Sequence, residues 1–367
     1  MPLRTLSGQH ADARKGRGAG VNPEGRFEAL EREAYDDGWA TLAQAGERAL
    51  KTVVTDEPAR SILSRNDSPD IPFTQSINPY QGCEHGCIYC YARPSHAYRN
   101  LSPGVDFETR IFAKVNAAAL LRRELSRPGY RCELIALGAN TDPYQPAERD
   151  RRITRGILEV CAEFNQPVGI VTKNALVERD IDLLAPMAAR GLAEVFVSVT
   201  TLDPELARRM EPRCSAPARR LQAVRTLAQA GIPVGVMVAP VVPVLNDREI
   251  EALVAAAAGH GAQRAAWILM RLPHEVKGLF RDWLERHYPL KAAHVMSRVQ
   301  QLRGGRDNDP NFGTRLRGEG ELAQLIGRRF DIACKKAGLN QARRGEGMVR
   351  NTTLFRVPGS AVQGALF

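Results

Sequence analysis

From about residue 73 to residue 270 the chain alternates apolar, strand-like runs with helix-spaced stretches, and this alternation limits the fold more than any other feature. The strand candidates are residues 73–78, 133–138, 168–172, 193–200, 234–239 and 265–270. Helical spacing occupies 111–126, 154–164, 178–189, 217–230 and 247–258. The runs Val168-Gly169-Ile170-Val171 and Val234-Gly235-Val236-Met237-Val238 are almost unbroken in apolar character, as in parallel strands covered on both faces. Six strands alternating with helices imply a parallel sheet, and right-handed crossovers curl it into a barrel or a partial (β/α)6 barrel. Polar residues gather where strands end: Asn140-Thr141-Asp142, Lys173-Asn174, Ser198 with Thr200-Thr201, and Arg271. In βα-barrels that rim carries the active site.

The flanking sequence reads differently. Residues 1 to about 25 are rich in Gly, Arg and Ser and are expected to be mobile, and 26–53 carry helical spacing. Beyond Pro273, helical patterns fall at 276–288, 292–302 and 321–337, and the tail has one strand-like run at 352–357. The expected organisation is an N-terminal segment over 1–57, the partial barrel over 58–272, a helical extension over 273–345 and a tail over 346–367. The start of the chain has no apolar signal core, and the apolar run 231–245 contains three prolines and is too short to span a bilayer. The expectation is a cytoplasmic protein with no membrane partner.

Three of the seven cysteines, Cys83, Cys87 and Cys90, lie within eight residues in a Cys-x3-Cys-x2-Cys arrangement, with Tyr89 before the last. Cys132, Cys161, Cys214 and Cys334 are scattered, so a disulfide framework is not indicated and the clustered thiols read as metal ligands. Three thiolates on one tight loop can hold three irons of a cubane and leave the fourth open. A structural zinc site completed by His85 or His96 is the competing reading. Cys161 and Cys334 lie on apolar helix faces and read as small buried hydrophobes.

With Asn78-Pro79-Tyr80-Gln81-Gly82 before it and Tyr91-Ala92-Arg93 after it, this loop resembles the signature of the radical S-adenosylmethionine (SAM) enzymes, in the branch around spore photoproduct lyase. The segments Thr141-Asp142-Pro143-Tyr144-Gln145-Pro146, Thr172-Lys173-Asn174, Glu211-Pro212-Arg213, Ala239-Pro240 and Arg303-Gly304-Gly305 extend the resemblance over about residues 58–340. The resemblance implies a [4Fe-4S] cluster on Cys83, Cys87 and Cys90, SAM chelated at the fourth iron, reductive cleavage of SAM, and hydrogen abstraction from a substrate. It also implies a low-potential electron donor, a flavodoxin or ferredoxin, as partner. By the same resemblance Tyr89 lies against adenine, Asn140 or Thr141 stands where the family usually has Gly-Gly-Glu for the SAM amino group, and Lys173 pairs with the SAM carboxylate. Ser198 and Thr200 would reach the ribose or carboxylate, and Arg213 would add a second carboxylate contact. Spore photoproduct lyase returns hydrogen from a cysteine at the end of its second strand; this chain has Ala139-Asn140 there, so the same dimer-reversal route is not implied.

Residues 271–350 carry 17 Lys and Arg against 9 Asp and Glu, a net +8 of the chain's +10. Such a face attracts phosphates or an acidic protein. A nucleic acid substrate and a docked electron donor both fit it. From a different functional class, a non-catalytic, metal-stabilised nucleic-acid-binding protein also accounts for thiols and charge.

Overall fold

A computed structural model describes residues 16–27, 50–341 and 351–359. Ten strands occur among them: β1 (Val53–Glu57), β2 (Leu63–Arg65), β3 (Gln75–Ile77), β4 (Tyr80–Gln81), β5 (Arg110–Lys114), β6 (Ile135–Leu137), β7 (Val168–Thr172), β8 (Ala193–Ser198), β9 (Val234–Val241) and β10 (Arg264–Leu269). Helices α1 (Ala117–Leu125), α2 (Ile153–Phe164), α3 (Ile181–Ala188), α4 (Pro204–Met210), α5 (Pro217–Gln229) and α6 (Ile250–Gly259) fall between them. Three more, α7 (Val276–His287), α8 (Pro289–Gln301) and α9 (Gly320–Lys336), follow β10.

The main sheet has the order β10-β9-β8-β7-β6-β3-β2. Its six strands β3 and β6–β10 are parallel, and β2 joins the far edge antiparallel to β3. This is the open, six-stranded partial barrel expected from the alternation. All six C-terminal ends share one rim, where Gly138–Asp142, Lys173 and Arg271 lie. Val168, Ile170, Val195, Val197, Val234 and Val236 are buried, as β-branched residues are in a sheet covered on both sides.

Two expectations need correction. The single helix expected over 111–126 is β5 followed by α1. Ile111 and Ala113 are buried while their neighbours are less so, the period of a strand, and helical periodicity begins only at Ala117. β5 pairs with β1 and β4 in a second, three-stranded sheet that alternation alone did not reveal. The run at 352–357 is turn and coil; it docks on the end of α2 through Arg356 N–H donating to Phe164 O at 3.0 Å and Phe355 packing on Tyr130. The helix expected over 26–53 lies mostly outside the described residues, and Val53 begins β1.

The helices after β10 do not hang separately. Val276, Phe280, Trp283 and Leu284 of α7 and Val295 and Val299 of α8 share one apolar cluster with Met210 of α4 and with Cys87, Ile88 and Tyr89 of the cysteine loop. Trp283 also donates its indole N–H to Arg209 O at 3.0 Å. α9 packs instead on α6 and on Trp267 of β10. No helix among the described residues is long and apolar enough to cross a membrane.

Trp283→Ala is therefore expected to destabilise the chain by about 3–5 kcal/mol through the cavity it leaves. Denaturant unfolding checks this, and limited proteolysis is expected to find earlier cleavage in the 83–90 loop.

Candidate functional site

The cysteine loop can turn tightly because Gly82 and Gly86 occupy positive φ, at 78° and 65°. A Cβ on Gly86 would stand 2.7 Å from a Glu108 carboxylate oxygen, so the position has no room for one. Backbone bonds fix the loop's ends: Cys83 N–H to Phe107 O at 2.9 Å and Ile88 N–H to Met210 O at 3.0 Å.

Beneath the loop lies Arg93, fully buried. Its guanidinium donates to Cys87 O (2.9 Å), Gly86 O (3.1 Å), Pro103 O (3.1 Å), Gly104 O (2.8 Å) and Glu108 Oε1 (2.5 Å). All five N–H donors thus have an acceptor. Glu108 also accepts the backbone N–H groups of Gly18 and Ala19, at 3.0 and 2.8 Å. The Gly-rich stretch expected to be mobile is, over residues 17–20, buried against the loop.

A second clamp comes from the rim. His85 is buried, with Nδ1 3.3 Å from Asp142 Oδ2 and Nε2 3.2 Å from Asn174 Nδ2. Asn174 Oδ1 accepts from Leu176 N–H and the Ser215 hydroxyl, which turns its NH2 toward His85 Nε2. Asp142 further accepts from Thr172 Oγ1 and Lys173 N–H, each at 2.7 Å. Burial works to raise the Asp142 carboxyl, but His85 and these donors hold it at about 2. The turn Asp142-Pro143 thereby ties the ends of β6 and β7 to the cysteine loop. Arg213 joins the loop as well, through its N–H to His85 O (3.3 Å) and its guanidinium to Glu84 (3.5 Å).

The floor is a buried network. Glu211 accepts from Thr200 Oγ1 at 2.6 Å, from the Tyr89 hydroxyl and from Arg220. Arg220 donates to Ser198 O at 3.0 Å and Ser215 O at 2.7 Å. Ser198 and Thr200 share a face, since both hydroxyls reach Ala239 O, at 3.2 and 3.1 Å. Lys173 stands 5.8 Å from the Tyr89 ring centroid. Among the described residues its ammonium has no ion-pair or hydrogen-bond partner. Burial would lower it, but Cys87, Glu211 and Cys214 more than offset this and hold it charged.

Of the residues singled out from sequence, the structure gathers Cys87, Tyr89, Lys173 and Thr200 about Glu211 and Cys214, with Cys83 and Cys90 on the same loop as Cys87. Thr141 is turned away, its hydroxyl donating to Tyr80 O at 2.9 Å, whereas the Asn140 side chain has no partner among the described residues. Cys214 lies with its sulfur 3.8 Å from that of Cys87. Cys161 and Cys334 are buried in the main core. Asp142 and Glu211 fell within motifs without a role of their own, and Arg220 and Glu108 were not singled out: their partners lie on other elements, and spacing carries no trace of such pairings.

The search for similar proteins fits this geometry. The family model "Radical SAM superfamily" matches residues 77–257. An uncharacterised protein of Mycobacterium tuberculosis is 39% identical over 250 residues, 67% of this chain and 72% of the relative. The chain belongs to the radical SAM superfamily. An uncharacterised Methanocaldococcus jannaschii protein is 29% identical over 173 residues, 47% of this chain and 62% of the relative. Among solved structures, spore photoproduct lyase complexed with dinucleoside spore photoproduct matches with a TM-score of 0.55 at 16% identity, over 78% of this chain and 80% of that one. A double mutant of the lyase with bound AdoMet and the same dinucleoside gives 0.57 at 16% identity, over 86% and 87%. These likenesses show the fold.

The superfamily implies a [4Fe-4S] cluster and SAM, and the donor set fits. No three Cys, His, Asp or Glu side chains converge as a single-ion site among the described residues. A cubane does not require convergence, because each thiolate takes a different iron. The Cys87 thiol is drawn down to about 7 by the hydrogen bond with Cys214, against burial. Burial and the neighbouring Cys87 and Cys83 push Cys90 up to about 12. A metal bound here would hold these thiols as thiolates. The zinc alternative, completed by a histidine, finds neither histidine free. Both His85 nitrogens are engaged, and His96 Nε2 lies 3.0 Å from Arg110 O, its ring against Phe107.

Arg93→Met is expected to cost about 3–5 kcal/mol, because it leaves Glu108 charged and buried without its partner. Thermal unfolding measures the loss, and iron bound after anaerobic reconstitution is expected to fall with it.

Proposed function

We propose that this protein holds a [4Fe-4S] cluster on Cys83, Cys87 and Cys90, cleaves SAM reductively, and abstracts hydrogen from a nucleic acid substrate. The observation that carries this reading is Lys173, a charged ammonium with no ion-pair or hydrogen-bond partner among the described residues, facing Tyr89 at the edge of the three-thiol loop. When bound, the cluster supplies the electron that breaks a carbon–sulfur bond of SAM.

The chain's own residues bind and orient. Lys173 offers its charge to the SAM carboxylate, and the Asn140 amide, free of protein partners, offers the amino group an acceptor. The Tyr89 ring, fixed by its bond to Glu211, gives adenine a flat wall. Ser198 and Thr200 are anchored toward Ala239 O, and in this reading they hold the β9 end in place and reach SAM only if their hydroxyls rotate. Arg213 is engaged with Glu84 and steadies the cysteine loop. The apolar shell of Ile88, Met210, Trp283 and Phe280 keeps water from the back of the loop.

A net charge of +10 favours a polyanionic substrate. It equally suits docking of an acidic flavodoxin or ferredoxin as electron donor. Much of the basic C-terminal quarter is engaged within the fold: Arg303 holds Arg315 O and Met270 O, Arg317 holds Trp267 O, and Arg329 pairs with Glu251.

Anaerobic reconstitution is expected to give a brown protein with about four irons that forms 5′-deoxyadenosine under a strong reductant. A colourless protein binding one zinc would refute the reading. Lys173→Met is expected to weaken SAM binding about tenfold, the value of one charge-assisted contact, while leaving the iron content unchanged. Calorimetric titration with SAM reads the first and iron analysis the second.

A further inference from the structure

Arg271 follows β10 on the same rim as Lys173 and Asp142 and is partly buried. Its Nε is fully enclosed and has no hydrogen-bond partner. Among the described residues its guanidinium makes no ion pair either; its one close companion is the ring of Tyr91, 5.9 Å from the guanidinium carbon to the centroid. The two nearest carboxylates are already engaged. Asp70 accepts from Gly313 N–H at 2.7 Å and Arg315 Nε at 2.5 Å, and Asp309 from Asn311 N–H at 3.0 Å and Thr314 Oγ1 at 2.5 Å. Burial and the neighbouring Arg315 press the Arg271 guanidinium toward the neutral form; Tyr91, Asp70 and Asp309 oppose this only in part, and none of them bonds to it. An unmet buried donor is costly, and the outer guanidinium N–H groups, which have no hydrogen-bond partner among the described residues either, are left to a ligand. Tyr91, one residue beyond Cys90, is about half exposed at 49% and is held by its hydroxyl donating to Ala139 O. A fixed aromatic face beside an unpaired guanidinium, on a strongly basic chain, suits stacked bases and their backbone.

We propose that Arg271 and Tyr91 form the substrate grip of the site, with Arg271 binding a backbone phosphodiester of single-stranded nucleic acid and Tyr91 stacking the adjoining base. The proposal rests on the radical SAM reading above and assigns that site its substrate-holding residues. The grip lies beside the last cysteine of the cluster loop, so a nucleotide held there would present its neighbour to the chamber over Lys173 and Tyr89. The remaining guanidinium donors suit two phosphate oxygens at once, which an ammonium would not match.

The test uses the full-length, anaerobically reconstituted protein with SAM and a short fluorescent single-stranded DNA, followed by anisotropy across a salt series. Arg271→Gln is expected to weaken binding about tenfold and to lower the slope of log affinity against log salt by about one. Arg271→Lys, which keeps the charge, is expected to keep the slope while losing affinity. Tyr91→Leu is expected to lose about tenfold with an unchanged slope. Arg225→Gln, on the exposed side of α5, is the control and is expected to bind as the unaltered protein does. An oligonucleotide with an uncharged methylphosphonate backbone is expected to bind the unaltered protein and Arg271→Gln equally. Unaltered protein that holds cluster and SAM but binds no oligonucleotide, or that binds it with no change in either Arg271 variant, overturns the proposal and leaves the radical SAM reading standing. Inorganic phosphate competing at Arg271 while DNA does not bind overturns the nucleic acid assignment. Loss of cluster or SAM binding in the unaltered protein sinks the underlying reading instead, and iron analysis and SAM calorimetry detect that separately.

Discussion

The buried pair of Arg93 and Glu108 is the interaction on which the rest of the site depends. Removing two charges from water costs several kcal/mol each, and their mutual attraction offsets this only when every remaining donor and acceptor is also satisfied. Here they are: four backbone carbonyls complete the guanidinium, and the N–H groups of Gly18 and Ala19 complete the carboxylate. The arrangement does more than balance itself. Two of the four carbonyls belong to Gly86 and Cys87, so the pair fixes the backbone between the first and second candidate iron ligands. A loop that must bind a cluster at three points cannot rely on the cluster alone to shape it, because cluster assembly would then carry the full entropy of ordering the loop. The protein orders it beforehand from below.

From above, the same loop is held by His85 and Asp142. Asp142 is committed to the loop and to Thr172 and Lys173, so it leaves no carboxylate for a ligand. Positioning Lys173 through its own backbone N–H links cluster loop and ammonium in one rigid path. Lys173 then stands, among the described residues, without an ion-pair or hydrogen-bond partner beside the paired Glu211 and Arg220. That excess positive charge is what a zwitterionic ligand with an exposed carboxylate would match.

The strands of the main sheet were legible because their signal is local. Val168–Thr172 is β-branched and continuous, and a strand buried on both faces cannot be built otherwise. The thiol spacing was legible for the same reason, since eight residues contain the whole motif. Where pairing depended on distant segments, the sequence was silent. Ile111 and Ala113 read as the start of a helix until β1 and β4 supply their partners. Asp142 read only as one polar residue at a strand end, because its clamp partner, His85, is 57 positions away. Ser198 and Thr200 were correctly placed on one face, but a strand's alternation cannot show that Ala239 O already receives both hydroxyls.

The same limit explains the N-terminal stretch. Its Gly, Arg and Ser content favours mobility, and nothing local opposes that reading. In the fold, Gly18 passes so near the loop that a Cβ there would fall 1.8 Å from Gly86 O. Glycine at both positions therefore serves close approach of two backbones rather than flexibility. Arg17, beside it, donates to Glu108 O at 2.8 Å and Leu50 O at 2.6 Å, closing the strap over the buried pair. Composition measures what a free segment would do. Once Glu108 offers two acceptors and the loop offers a surface without side chains, the segment least able to form structure alone fits closely against the backbone of the cysteine loop.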